Sequence, residues 1–337
     1  MMKKHSTRRI ILSVLAAIAF VIVLAAAVAF ILPLTETVDS CQGENAQSWM
    51  AELPDDITIC GVVLPGTHDS ATKYVHLGLL AKCQALSVEE QLAAGFRYFD
   101  LRVEVTDKGL KMKHGFLDCQ TGAAPWSPAL YADKIFSDFR FFLNEHPTEF
   151  IVLSVKQEHG GKTPETIERL IALMCSLDGD YLLAADTLPT VGEARGKIVV
   201  LRRYEDEGNM GAGGGLPYLW EDQGNRDQTD LAAASQDQGS YLLTVQDRYK
   251  YDCDDKRSAF LDTLQHPGET GSAGQPALTV NFLSTNGNTA YGHPYRYAKE
   301  LNEWFMTLED RELSGWIIVD FGSGRMAEKI YSANFHS

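Results

Sequence analysis

The sequence lacks the cysteine patterns of a zinc-binding or redox protein. Its six cysteines include no CxxC pair, so a zinc ribbon or a thioredoxin-like site has no support. Outside the cell, the same six residues are compatible with one or more disulfides, whose pairing the spacing does not reveal. Buried free thiols are the alternative, and we expect them first at Cys60 and Cys175, because both lie in apolar runs.

Basic residues are scarce as well. The 337-residue chain holds 30 Lys+Arg against 45 Asp+Glu, a formal net charge of −15, and its first nine residues contain four of the cations and no acid. Nucleic-acid binding requires a basic surface that neutralises phosphates, so we expect no nucleic-acid partner. Disordered and collagen-like chains are excluded too, because hydrophobic residues make up 45% and charged residues 22% of the sequence.

Charge is absent from residues 10–34, where Ser13 is the only clearly polar residue. As a helix this segment would span roughly 37 Å, enough for a hydrocarbon core of about 30 Å. A buried core helix would keep a polar stripe, and this segment has none. We expect an uncleaved signal-anchor, with residues 1–9 in the cytoplasm and the remainder outside the cell membrane. A cleaved signal peptide, which would give a secreted protein, is the alternative, although the apolar run is longer than the roughly 7–15 residues usual for one.

Beyond a polar connector at residues 35–56, residues 57–337 alternate between strand-like and helical patterns. The strand-like runs are rich in Val, Ile, Phe and Tyr, as strands buried on both faces are. They lie at Ile59–Leu64, Phe96–Val105, Phe150–Lys156, Lys197–Arg202, Tyr241–Gln246, Ala277–Leu283 and Trp316–Phe321. The helical patterns lie at Ser87–Ala94, Pro128–Glu145, Pro164–Cys175, Tyr295–Leu308 and Ala327–Ser332. This alternation predicts an α/β fold, a single irregular (β/α) TIM-type barrel.

Polar side chains stand at the carboxyl ends of six of these predicted strands and of an apparent return strand, Leu110–Lys113. In an α/β barrel these ends converge on the active-site face. One such residue would be an ordinary cap or a satisfied core group, but so many charged residues at strand ends indicate a site. They are His68 with Asp69, Asp100 with Arg102, His114, Lys156, Arg202 with Arg203, Asp247 with Tyr249, and Asp320.

Eight segments, in this order, make the chain resemble the phosphatidylinositol-specific phospholipases C in their bacterial single-domain form. HDS or KHG alone would be weak support, but all eight together are specific and span about residues 57–333. They are LPGTHDSAT (64–72), GFRYFDLRVE (95–104), KHG (113–115), FIVLSVK (150–156), RGKIVVLRRY (195–204), TVQDRYK (244–250), NFLSTNG…Y…PYRYA (281–298) and GWIIVDF (315–321). The resemblance implies an irregular (β/α) barrel that cleaves phosphatidylinositol to diacylglycerol and inositol 1,2-cyclic phosphate.

The resemblance also implies a catalytic role for five residues. His68 matches the family's general base and His114 its general acid, roles that histidine's unperturbed pKa near 6.5 allows at neutral pH. Asp320 matches the carboxylate that orients the base, and Asp69 the carboxylate that supports the acid. Arg102 would stabilise the charge that collects on the phosphate oxygens in the transition state.

Metal need and headgroup recognition follow from the same comparison. Eukaryotic relatives hold a calcium ion with carboxylates where this chain has Arg102 and Lys156, so the resemblance implies an enzyme without metal or other cofactor. Lys156, Arg203 and Asp247 match positions that bind inositol hydroxyls, and Tyr249 matches an aromatic residue that stacks on the ring. Such a site rejects lipids that lack these hydroxyls. Whether glycosylated inositol anchors are also cleaved stays open.

Membrane phosphatidylinositol and the bilayer are therefore the expected partners of a protein that we expect to be a monomer. For Asp100 there are two expectations. It braces a cation of the site, Arg102 or Lys156, or it is an ion-pair partner in the barrel core. The family often has tryptophan near position 291, where this chain has an interface-compatible tyrosine. The candidates for apolar contact with lipid at the barrel mouth are Leu77, Leu79, Leu80, Trp126 and Tyr291.

Two other functions stay open. A glycerophosphodiester phosphodiesterase uses a similar barrel, but it would need a carboxylate-rich metal site, and Arg102 with Lys156 argue against one. An inactive module that binds inositol lipids would normally lack one of the histidines or the arginine, and here all three are present.

Overall fold

The computed structural model describes residues 2–31, 37–39, 43–161, 163–204, 214–224, 233–268, 274–287 and 293–335. The chain divides into two compact units, Met1–Thr37 and Val38–Ser337. The first consists of helix α1, Met2–Ile31. Its segment Arg8–Ala25 has a mean hydropathy of 2.3, so the helix is long and apolar enough to cross a membrane. A signal sequence has the same length and composition, so the anchor and the signal peptide both remain open.

The second unit is built on a sheet of 11 strands within the described residues. The strands are β1 Leu64–Thr67, β2 Tyr98–Thr106, β3 Gly109–His114, β4 Leu117–Asp118, β5 Ile151–His159, β6 Ile198–Arg202, β7 Leu216–Pro217, β8 Ala234–Asp237, β9 Leu242–Gln246, β10 Ala277–Phe282 and β11 Trp316–Val319. In the sheet they follow the order β7-β6-β5-β2-β1-β11-β10-β9-β8, and off this path β3 pairs with β2 and β4 pairs with β3.

The path from β7 to β9 is parallel, and β8 closes it with an antiparallel pairing on β9. The sheet curls into a (β/α) barrel whose end strands are β7 and β8. There the Gln238 side chain donates to the Leu219 carbonyl at 2.9 Å and accepts from the Leu219 N–H at 3.1 Å. The predicted irregular TIM-type barrel is confirmed.

Helices cover the outside of the sheet, and several begin at side-chain caps. Ser87 and Thr190 each form a capping box, and Asp252 caps the helix after β9. The last of these, Cys253–Gln265, was not predicted, because its buried face includes the polar residues Lys256 and Thr263. The helices are α2 Gly78–Ala81, α3 Val88–Ala93, α4 Ala132–Glu145, α5 Pro164–Asp178, α6 Val191–Ala194, α7 Cys253–Gln265, α8 Pro294–Phe305 and α9 Gly324–Ser332.

One predicted strand is wrong. Residues Ile59–Gly61 form a 3-10 helix, and strand β1 begins only at Leu64. The apolar residues Ile59 and Val62 are fully buried, which explains why the run looked like a strand. Gly66 lets β1 approach its neighbours closely, because a Cβ there would overlap the side chains of Ile318 and Tyr98.

Alternating side chains along each strand divide the core into two layers. Tyr98, Val152 and Trp316 belong to the cluster inside the barrel, whereas Phe99 and Ile317 pack with the helices outside. The interior alternation continues beyond the apolar layer at the carboxyl ends of the strands. The residues there that fall on the inward-facing side of the alternation are His68, Asp100, Arg102, Lys156, Arg203, Asp247 and Asp320.

Part of the segment predicted as a connector packs on the barrel. Trp49 is buried, stacks on Tyr331 at 5.2 Å between ring centroids, and donates through Nε1 to the Gly95 carbonyl at 3.0 Å. The N–H of Met50 donates to Glu149 Oε1 at 3.1 Å. The folded core therefore includes residues on the N-terminal side of position 57.

Five of the six cysteines lie in the part of the chain that the structure describes, and all five are free thiols; Cys41 lies outside it. Cys60 is half-buried. Cys175 is exposed, and the expectation that it is buried is wrong, because the apolar run around it is one face of helix α5. The buried thiols are those of Cys83 and Cys119.

Candidate active site

A cavity of about 650 Å³ opens at the carboxyl ends of the strands. Its lining includes eight of the nine residues that the sequence nominated. They are His68, Arg102, His114, Lys156, Arg203, Asp247, Tyr249 and Asp320. The ninth, Asp69, lies directly behind this surface and contacts two of the lining residues.

His68 is held between a carboxylate and a guanidinium. Its Nδ1 lies 2.8 Å from Asp320 Oδ1, and its Nε2 lies 2.7 Å from Arg102 Nη2. Because a guanidinium can only donate, Nε2 must accept, and the ring proton stays on Nδ1 facing Asp320. Burial opposes the charged ring, but the charge and hydrogen bond of Asp320 outweigh it and raise the pKa of His68. The ring thus presents a basic nitrogen to the cavity.

His114 is paired with a different carboxylate. Its Nδ1 lies 2.5 Å from Asp69 Oδ2, and the same oxygen lies 3.4 Å from Arg102 Nη1. Burial would raise the pKa of Asp69, but the charges of Arg102 and His114 overcome it and hold that pKa well below its usual range. Asp69 is therefore an anion that accepts the Nδ1 proton of His114. It also has a left-handed backbone (φ 47°), which is uncommon for a residue other than glycine.

Arg102 lies at the centre of the cluster and is almost buried. Besides Asp69 it contacts Asp100 Oδ2 at 3.3 Å and Glu158 Oε1 at 3.4 Å. Burial disfavours its charge, yet the three carboxylates raise its pKa well above the ordinary value. Asp100 braces Arg102, as one of the two expectations had it, and lies 3.6 Å from Arg203 Nη1 as well.

Glu158 is a cavity residue that the sequence analysis missed. Its Oε2 lies 2.9 Å from Lys156 Nζ, and its Oε1 accepts from the Gly115 N–H at 3.3 Å beside His114. Burial opposes its charge, but Arg102 and Lys156 lower the pKa of Glu158 to about 2. Residues 156 and 158 share a face because strand β5 continues to His159, beyond the apolar run that the sequence predicts as a strand.

The far side of the cavity is built around Trp220, which was also not predicted. The Arg203 guanidinium lies 3.8 Å from the centre of the Trp220 ring, and Trp220 Nε1 donates to Asp247 Oδ2 at 3.2 Å. Tyr249 donates its hydroxyl proton to Asp222 Oδ1 at 2.6 Å. Burial and the neighbouring carboxylate of Asp222 raise the pKa of Tyr249, which keeps the phenol neutral. No strand or helix pattern marked the segment that carries Trp220 and Asp222.

Potential metal ligands meet beside Arg102. Donor atoms of His68, Asp69 and Cys83 lie within 4.8 Å of one another. The guanidinium of Arg102 already contacts the first two, so a divalent cation there would face a fixed positive charge at hydrogen-bond distance. This donor set fits an arginine better than a metal ion.

Several of the apolar side chains that the sequence nominated for lipid contact are exposed. Leu77 is 63% exposed and Trp126 84%, while Leu80 lines the cavity and Leu79 is half-buried. Phe116, two residues after His114, is 74% exposed and was not nominated. Tyr291 lies outside the described residues.

Fold and site define a (β/α)-barrel protein with two carboxylate-paired histidines around a buried cation. No family model matches the chain. The chain is 28% identical over 298 residues to the 1-phosphatidylinositol phosphodiesterase of Staphylococcus aureus strain Newman, an alignment that covers 82% of this chain and 89% of the relative. It is 28% identical over 230 residues to human PI-PLC X domain-containing protein 1, covering 56% and 66%.

Solved structures lead to the same group. The phosphatidylinositol-specific phospholipase C of Staphylococcus aureus superposes with a TM-score of 0.68 at 24% identity, covering 85% of this chain and 97% of that one. That comparison shows the shared barrel. The resemblance found in the sequence is confirmed: over most of its length this chain is similar to the bacterial phosphatidylinositol-specific phospholipases C.

Proposed function

We propose that this chain is a phosphatidylinositol-specific phospholipase C, which converts phosphatidylinositol to diacylglycerol and inositol 1,2-cyclic phosphate. The observation that carries the proposal is the pair of histidine–carboxylate couples around one guanidinium. His68 is coupled to Asp320, His114 to Asp69, and Arg102 contacts a member of each couple. A phosphoryl transfer between two oxygens needs one group to take a proton, one to give a proton, and a cation for the phosphate.

In the first step His68 Nε2 removes the proton of the inositol 2-hydroxyl, and that oxygen attacks phosphorus. The bond between phosphorus and the glycerol oxygen breaks, and His114 gives its Nε2 proton to the departing oxygen. Both carboxylates keep the ring protons on Nδ1, so each Nε2 faces the reaction. In a slower second step the histidines exchange roles and water opens the cyclic phosphate.

Arg102 must change partners during this cycle. In the free protein it donates to His68 Nε2, the atom that has to accept the substrate proton. When the 2-hydroxyl takes that place, the guanidinium turns to the non-bridging phosphate oxygens. Together with Lys156 it supplies the charge that a metal ion would otherwise supply, so we propose that the reaction needs no metal.

The inositol ring occupies the far side of the cavity. Lys156, Arg203 and Asp247 bind its hydroxyls, and Tyr249 stacks on the ring. Lipids with choline or ethanolamine headgroups lack the hydroxyls that these groups would bind, which makes them poor substrates.

We further propose that the barrel mouth meets the bilayer, with Leu77, Leu80 and Trp126 in contact with lipid. Helix α1 would keep the protein in the cell membrane as a single-pass, monomeric protein with the barrel outside the cytoplasm, or be removed to give a secreted enzyme. Sequencing the N-terminus of the protein isolated from its cells distinguishes the two.

Phosphorus NMR tests the reaction. Full-length protein in detergent micelles with phosphatidylinositol and a chelator should produce a cyclic phosphate signal. His68→Ala and His114→Ala should each lower the rate by ~10²–10⁴ while micelle binding survives. Turnover only after calcium addition would contradict metal independence. Preference for glycerophosphodiesters would point to the related phosphodiesterases, and binding without turnover to an inactive module. A glycosylated phosphatidylinositol in the same assay tests whether a substituted inositol is also accepted.

A further inference from the structure

Gln84 is a fully buried glutamine that the reaction does not use directly. Its Nε2 donates two hydrogen bonds, to the His68 carbonyl at 2.7 Å and to the Val319 carbonyl at 2.9 Å. Its Oε1 accepts from the Gly322 N–H at 3.3 Å. The amide therefore forms three hydrogen bonds, all to backbone groups of two segments that lie far apart in the sequence.

These two segments carry His68 and Asp320, which both lie just beyond the paired residues of the sheet. The ladder between β1 and β11 ends with the pair Thr67 and Val319, one residue before each of them. A last backbone bond joins the His68 N–H to the Val319 carbonyl at 3.0 Å. Beyond it, both chains leave the regular pairing.

The segment that carries Gln84 takes over where the ladder stops. The Cys83 carbonyl accepts from the Phe321 N–H at 2.7 Å. Gln84 binds Val319 and Gly322, the two residues that flank the Asp320–Phe321 pair. Phe321 has a left-handed backbone (φ 48°), a conformation that surrounding contacts must maintain in a residue with a side chain. Asp320 is thus the residue before a constrained bend, which the Cys83–Gln84 segment holds together with Asn302, whose side chain donates to the Asp320 carbonyl at 2.9 Å.

We infer that Gln84 is a positioning residue that sets the distance between His68 and Asp320. The inference rests on the proposed function only for the roles of the two residues, His68 as the base and Asp320 as the carboxylate that orients it. A methionine at this position would have similar length but no hydrogen bonds, so the two backbone segments would lose the amide bridge and keep the bond from the His68 N–H to the Val319 carbonyl. The carboxylate would then be held less closely at Nδ1 of the ring.

Gln91 offers a matched control. It is also a fully buried glutamine with three hydrogen bonds: Nε2 donates to the carbonyls of Ser70 and Leu86, and Oε1 accepts from Thr67 Oγ1. It contacts neither His68 nor residues 319–322 in these bonds. A purely structural effect of losing a buried amide should therefore be similar in Gln91→Met and Gln84→Met.

The test combines kinetics with a direct observation of the ring. Full-length protein with ¹⁵N-labelled histidine is titrated by NMR in micelles, and kcat and KM for phosphatidylinositol are measured across the same pH range. The titratable and charged groups that face the His68 ring are Asp320, Arg102, Asp69 and Cys83.

In Gln84→Met we expect kcat to fall by about 10²-fold with a smaller change in KM, as for other misplaced catalytic groups. We also expect the pKa of His68 to fall and its Nδ1–H signal to weaken, because Asp320 holds the ring less closely. Gln91→Met should leave the His68 titration and the acidic limb of the kcat profile unchanged. Gln84→Asn, which keeps the amide but is one methylene shorter, should give an intermediate result.

An unchanged His68 titration in folded Gln84→Met or Gln84→Asn would overturn the inference, as would the same shift in Gln91→Met. If Gln84→Met does not fold, the shorter amide variant carries the test alone. Absence of turnover in the wild-type protein would count against the proposed function instead, and the NMR comparison would still decide the role of Gln84.

Discussion

Arg102 Nη2 lies 2.7 Å from Nε2 of His68, so the guanidinium and the imidazole of the site are hydrogen-bonded to each other. In the proposed reaction Nε2 has to accept the proton of the substrate hydroxyl, and Arg102 occupies the lone pair that would accept it. Substrate binding would therefore have to separate the two side chains.

Arg102→Met is expected to lower kcat by about 10²–10³-fold, because the charge on the phosphate oxygens loses its main counterpart. KM should change much less, since the inositol contacts remain. Steady-state kinetics in chelator provide the measurement. Arg169→Met, which removes an exposed arginine paired with Asp107, is the control. Near wild-type turnover in Arg102→Met would show that the guanidinium is not the phosphate cation.

Low pH should decrease the free energy of unfolding through the protonation of Glu158. Its pKa is depressed from 4.5 to about 2, so the stability it contributes is complete above pH 4.5 and disappears as the pH falls towards 2. Glu158→Gln should therefore flatten the pH dependence of urea unfolding in that range. Asp107→Asn, at a nearly fully exposed carboxylate, is the comparison. An equally steep profile in both variants would contradict the prediction.

Trp220 should affect substrate binding more than turnover. Trp220→Phe keeps a ring under Arg203 but removes the hydrogen bond to Asp247. We expect KM for phosphatidylinositol to rise roughly fivefold, the equivalent of about 1 kcal/mol for one hydrogen bond. Trp220→Leu should raise KM further, because the cation–π contact is lost as well. Trp304→Phe, at a partly buried tryptophan that packs on Phe260 and does not line the cavity, serves as control. A fall in kcat at constant KM would argue against an inositol-binding role.

Lys256 gives a stability prediction of the same sign as that for Glu158, in a window at higher pH. It is fully buried, and burial lowers its pKa from 10.5 to about 7, against the attraction of Asp247 and Asp320. The unfolded chain therefore binds more protons than the folded one between those values, so stability rises with pH across that window. Lys256→Met should remove this rise in thermal unfolding followed from pH 7 to 10, whereas Lys134→Met, at an exposed lysine, should retain it. A rise that persists in Lys256→Met would show that other groups cause it.

Much of the barrel was predictable because a strand buried on both faces must be apolar along its length. The run Phe150–Lys156 became strand β5 for this reason. Prediction failed where pairing, not composition, maintains the element: β5 continues through the polar residues Gln157 and Glu158 because β2 pairs alongside it. Helix α7 was missed on similar grounds, since its buried face includes Lys256.

The sequence by itself determined which side chains can meet. Strand alternation places His68, Arg102 and Asp320 on the interior face at the carboxyl ends of their strands, and their chemistry indicates acid–base work on a phosphate. Only the tertiary structure decided what supports them. Gln84 donates to a carbonyl 235 residues away, and Arg203 packs on Trp220. Such contacts arise from the packing of segments with no periodic pattern, so their partners cannot be inferred from the order of the residues.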